Sequence, residues 1–148
     1  MSLTGLEVFD TTVHRTNSWL KELTQLQGAE SRHTAYLGLR ATLHALRDRL
    51  TVEEVAHLGA QLPMLIRGLY YEGWDVTGKP LKLRHRDQFL DHIRQELRGP
   101  DPIDPEQTAR AVFTLLSNRV SEGEIENVKQ LLPVEIRELW PESARTPS

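Results

Sequence analysis

Six histidines, His14, His33, His44, His57, His85 and His92, are the first residues to test for chemistry, because imidazole is a common metal ligand. No His-Glu-x-x-His occurs, and no two histidines stand three or four apart, the spacings that bring ligands onto one helix face. His85 and His92 are seven apart and share a face, with Asp91 beside His92, yet a metal there needs further ligands from elsewhere. The expectation is no metal and no cofactor, with the histidines solvated or, like His44, packed at helix contacts. Nucleophilic catalysis needs a nucleophile beside a base, and Ser31 and His33, two apart, point to different helix faces. No Gly-x-Ser-x-Gly, phosphate-binding loop or dinucleotide glycine pattern is present. Glu53-Glu54 and Glu122/Glu124 are carboxylate pairs, but they fall in first helical turns, where the helix dipole already favours acids. An enzyme is therefore not the expected reading.

Charged and apolar clusters give two binding candidates. Lys79 to Arg98 holds six Lys/Arg against three acids, whereas residues 120–142 hold six acids against two bases. Lys82, Arg84, Arg86, Arg94 and Arg98 are the candidate anion contacts. The segment lacks the interleaved aromatics that stack nucleic-acid bases, so an acidic partner, or the acidic end of another copy, is the competing reading. The second candidate is Met64-Leu-Ile-Arg-Gly-Leu-Tyr-Tyr-Glu-Gly-Trp74, apolar nearly all round a short helix. It is either the centre of the fold or an interface through Met64, Leu65, Tyr70, Tyr71 and Trp74, residue types that interfaces favour.

The elements that position these residues follow from length, composition and pattern. A chain of 148 residues and 17.0 kDa, 39% hydrophobic and 26% charged, has the composition of one globular domain. A net charge of −3 does not favour nucleic acid or an anionic membrane in bulk. Absence of cysteine removes disulfides and thiolate chemistry. There is no apolar run of spanning length and no signal-peptide apolar region in the first 25 residues, which reads as a soluble, cytoplasmic protein of bacterial type.

Sliding the chain against itself by 70 residues aligns it without a gap. Leu46-Arg-Asp-Arg-Leu-Thr51 lies over Leu116-Ser-Asn-Arg-Val-Ser121, Leu62-Pro63 over Leu132-Pro133, and Ile66-Arg-Gly-Leu-Tyr70 over Ile136-Arg-Glu-Leu-Trp140. Upstream, Trp19-Leu20 falls over Phe89-Leu90 and Arg40-Ala41 over Arg110-Ala111. The matched prolines, arginines and caps go beyond what two amphipathic helices share by chance. Arg49/Arg119 and Arg67/Arg137 recur as pairs, read as helix-end capping or carboxylate pairing ahead of a symmetric anion site.

Each repeat reads as four helices. Residues near 6–26 and 32–49 carry apolar stripes, the second through Tyr36, Leu39, Leu43, Leu46 and Leu50. Thr51-Val-Glu-Glu54 is a capping box opening a short helix, and Pro63 stands at N1 of a fourth that runs to about Trp74. In the second copy a helix near 85–98 precedes a rigid loop, Gly99 to Pro105. Asp104-Pro-Glu-Gln107 then caps the next helix, Ser121-Glu-Gly-Glu124 is a second box, and the last helix runs from Pro133 to near Trp140. The expectation is an all-α fold of about eight helices, a tandem repeat (about 9–78 and 79–141) in one compact bundle, with a disordered tail over 142–148.

Arg47-Asp-Arg-Leu-Thr-Val-Glu-Glu-Val-Ala-His-Leu-Gly-Ala-Gln-Leu-Pro63, running into Ile66 to Trp74, resembles the bacterial family of domain of unknown function 2267, as do Ala111-Val-Phe, Val120 to Ile125 and Gln130 to Pro133. The resemblance spans about residue 9 to Pro141. It implies a small helical bacterial protein and carries no activity, ligand or site residue to any position. The resulting expectation is a non-enzymatic helical protein-interaction module, a homodimer or the partner of another protein. The alternatives are nucleic-acid or anionic-ligand binding through Lys79 to Arg98, and a small-molecule or enzyme site between the halves.

Overall fold

The computed structural model describes residues 2–99 and 102–142. Among them are eight helices and no strand: α1 (Glu7–Gln27), α2 (Arg32–Arg49), α3 (Val52–Gly59), α4 (Met64–Tyr71), α5 (Arg86–Glu96), α6 (Pro105–Arg119), α7 (Glu122–Gln130) and α8 (Val134–Arg137). The expected tail lies outside the described residues from 143 onward, as do Pro100 and Asp101 of the expected rigid loop.

Local signals place the helix ends. Gly28 ends α1 in the left-handed region at φ 68°, which a residue with a Cβ enters only at a cost, and its N–H donates to Thr24 O. Ser31 Oγ accepts from Thr34 N at 3.1 Å and starts α2. Thr51 Oγ1 accepts from Glu54 N at 3.2 Å, and Ser121 Oγ accepts from Glu124 N at 3.3 Å. Only this half of each expected capping box involves the glutamate. The Ser121 amide donates instead to Gln61 Oε1 at 3.0 Å. The Asp104 cap likewise forms, but Gln107 reaches away to donate to Gln27 O at 3.0 Å. Pro63 and Pro133 sit at the cap positions, one residue before the expected N1.

Two expected helices are shorter than read. α4 stops at Tyr71, because Glu72 is extended and Gly73 turns the chain at φ 71°. α8 is a single turn to Arg137, and its end is held by packing: the Trp140 ring stacks on Phe113 at 4.2 Å and 6°.

The helices interleave. α1 packs on α2, α4 and α6, while α5 packs on α2, α6 and α8. α2 crosses α6 so closely at Gly38 that an added Cβ would stand 2.8 Å from Thr108 Cγ2. α3 lies on α7 and α4. Buried side chains from the first and last four helices form one cluster, with Trp19, Leu39, Tyr70, Phe89 and Phe113 fully enclosed. Each such large side chain contributes roughly 1.5–3 kcal/mol by leaving water. The stripe through Leu39, Leu43, Leu46 and Leu50 faces inward as expected.

The paired arginines divide. Arg67 Nε donates to Gly59 O at 2.8 Å and Nη2 to Leu62 O at 2.7 Å. Arg137 makes the same bonds seventy positions on, to Lys129 O at 3.1 Å and Leu132 O at 3.0 Å. Both satisfy carbonyls that α3 and α7 leave orphaned at their C-terminal ends. Arg49 and Arg119 differ: the first donates to Leu83 O, the second pairs with Glu22 at 2.7 Å.

Candidate functional site

The apolar α4 segment is partly core and partly surface. Ile66 and Tyr70 are fully buried, and the Tyr70 hydroxyl donates to Val55 O at 2.9 Å. Burial, with Tyr71 adjacent, pushes that phenol above its ordinary range. Tyr70 is thus corrected from an interface residue to a core residue: the chain itself covers it. Tyr71 and Trp74 are half-buried, with their ring centroids 5.6 Å apart. Met64 and Leu65 stay exposed at 44% and 48%. Leu65 N donates to Thr12 Oγ1 at 3.1 Å, which ties the start of α4 to α1. One turn earlier on α1, Val8 and Phe9 are exposed on the same face as Thr12. Met64, Leu65, Val8 and Phe9 therefore flank one junction. In the last four helices the residue aligned with Leu65 is Glu135, which accepts from Arg86 N at 2.9 Å and pairs with His85 at 3.1 Å. These bonds hold the Glu135 carboxyl below its usual range.

The basic segment is partly neutralised within the chain. Arg86 pairs with Glu138 at 3.1 Å and with Glu106 at 3.8 Å, and Arg94 pairs with Asp91. Lys82, Arg84 and Arg98 form no ion pair among the described residues.

A second polar group lies between α2, α4 and α5. His44 is buried between Glu96, 3.0 Å from Nδ1, and Leu69 O, 2.7 Å from Nε2. Arg40 bridges Glu96 and Glu72. Buried Arg47 donates to Asp48 at 3.1 Å, Tyr70 O at 3.0 Å and Glu72 O at 2.9 Å. His92 Nε2 is 3.0 Å from the other Asp48 oxygen. Burial pushes the Asp48 carboxyl up, but its bonds to His92 and Arg47 outweigh this and hold it below the ordinary value.

A third group joins α3 to α7. Glu54 and Glu124, each buried, meet where the two helices pack, and His57 stands one turn along α3. One carboxylate oxygen of each glutamate and a ring nitrogen of His57 lie within 4.8 Å of one another. Oε2 of Glu54 and Oε2 of Glu124 are buried with no hydrogen-bond donor. Burial first, then the facing Glu54, pushes the Glu124 carboxyl up to about 8. Spacing along the chain predicts no metal, because it detects ligands on one helix face and these residues come from two helices. The signal that could have found them is the offset: Glu54 and Glu124 occupy matched positions, so helices that pair symmetrically bring them together.

A cavity of about 360 Å³ lies between the α1–α2 turn and the start of α6, lined by Gln27, Gly28, Thr34, Ile103, Gln107 and Thr108. Gln27 Nε2 donates to Thr108 Oγ1 at 3.2 Å, and its Oε1 is buried without a partner. Among the described residues no helix is long and apolar enough to cross a membrane.

Together these features define a helical protein whose polar groups are gathered at helix–helix contacts. The chain belongs to the family described as an uncharacterized conserved protein (DUF2267), whose model matches residues 16–139. No curated protein matches the chain.

Proposed function

We propose that the protein is a non-enzymatic interaction module of the bacterial cytoplasm, built from two copies of a four-helix unit, that pairs with a second copy of itself through the α1–α4 junction. One observation carries the reading. Met64 and Leu65 remain exposed beside Val8 and Phe9, whereas the aligned Glu135 is engaged by His85 and Arg86. The duplication is supported by the matched Arg67 and Arg137 bonds, the Thr51 and Ser121 caps, and the reciprocal packing of α1 on α6 and α5 on α2. The cysteine-free sequence supports the cytoplasmic setting.

Light scattering over a range of concentrations tests the pairing. The expected result is a mass twice the 17.0 kDa chain at high concentration, reduced to one chain in Leu65→Glu with the helical signal unchanged. A mass of 17.0 kDa at every concentration removes the reading.

A second reading, a small-molecule site, is favoured by the cavity at Gln27, whose buried Oε1 lacks a donor. A thermal-shift screen of polar metabolites should find hits that Gln27→Leu loses; a blank screen discards it.

A further inference from the structure

We propose that Glu54, His57 and Glu124 form a binding site for a divalent first-row cation of the Mn²⁺–Zn²⁺ type between α3 and α7. The chemistry of the donors sets the class: two carboxylates and one imidazole suit such ions, and no thiolate is present.

Two buried carboxylates face each other, and among the described residues no lysine or arginine pairs with either. One proton held between the two carboxyls, together with the N-terminal ends of α3 and α7, offsets their charge in the metal-free protein, and a divalent ion would take that proton's place. The two buried Oε2 atoms, neither with a hydrogen-bond donor, are the positions such an ion would fill. Ligand atoms about a tetrahedral ion at ~2.1 Å stand about 3.4 Å apart. His57 Nδ1 is already 3.8 Å from Glu54 Oε1, and since no two ligand atoms of the set stand more than 4.8 Å apart, closing on an ion needs a contraction of about 1.4 Å at most. The His57 side chain, 58% exposed, is free to make that movement, and its exposure leaves room for water ligands to complete the shell. The two glutamates are more than nine-tenths buried and arrive pre-positioned by the α3–α7 contact.

The test uses the intact chain after chelator treatment, with Mn²⁺ as a paramagnetic probe and Zn²⁺ as a calorimetric one. Mn²⁺ should broaden amide signals of residues 52–57 and 122–127 and leave those around His14, His33 and His85 sharp. Zn²⁺ should bind at one saturable site, and Glu54→Gln and Glu124→Gln should each weaken it at least about tenfold, as ligand-shell losses do. His57→Ala should weaken it while leaving the fold's helical signal unchanged. The glutamine variants keep shape and remove repulsion, so they stay folded and their melting temperature checks it. Broadening centred on another histidine, affinity unchanged by the glutamine substitutions, or no saturable binding overturns the site. In that case the two carboxyls hold a shared proton alone.

Discussion

Two buried charge clusters in this molecule are compensated in opposite ways. Between α2, α4 and α5, each polar side chain meets a hydrogen-bond partner: Arg47 with Asp48 and two carbonyls, His44 with Glu96, and Asp48 with His92. Between α3 and α7, two acids meet each other. A closed set of donors and acceptors fixes helix positions and asks for nothing more. An open set carries an unmet requirement that an external proton or ion can fill. Local structural chemistry explains the first cluster, and the second is the better place to look for a ligand.

The contrast can be broken at four points. The largest effect is expected from Arg47→Met, which strands Asp48 and two carbonyls; removing one partner of a buried pair costs about 3–5 kcal/mol, read from urea unfolding. Asp48→Ala leaves Arg47 and His92 donors without a partner and should lower stability by about 1–3 kcal/mol in the same assay. The Asp48 carboxyl is held below the ordinary aspartate value of 3.8, so its stabilisation is present above that pH and is lost as pH falls through the depressed value. Acid unfolding of Asp48→Asn should therefore lack the part of the wild-type decline below pH ~3.8. At the open cluster the sign reverses: in chelator, Glu54→Gln should raise stability by about 1 kcal/mol, because it removes a buried like charge and adds a donor. A loss of stability there would show that the two carboxylates are already compensated. The smallest effect belongs to Leu65→Glu, an exposed position aligned with Glu135, expected within about 0.5 kcal/mol of the parent.

How far these features are readable along the chain depends on how local their causes are. The caps at Thr51 and Ser121 and the Leu39–Leu50 stripe act within one or two turns, and all are legible from spacing. The Arg67 and Arg137 roles are legible too, because they reach back only to the preceding helix. Gln107 and the Ser121 amide escape the pattern, since Gln27 and Gln61 claim them from distant segments. Tyr70 and Leu65 cannot be told apart in a helix apolar on every side until α1 and α3 are placed around it. Glu54 and Glu124 are hidden for a different reason: a capping-box motif supplies a sufficient local explanation, so nothing in either segment asks for another. Only the matched spacing of the two segments points to their meeting.

The crossing of α1 onto α6 and α5 onto α2 has a bearing on biosynthesis. A nascent chain leaving the ribosome can lay α2 and α4 on α1 early, but the face of α1 that meets α6 stays open until that distant helix has been translated. Closure of that loop must wait for α6, so part of the N-terminal segment spends its early life within reach of chaperones.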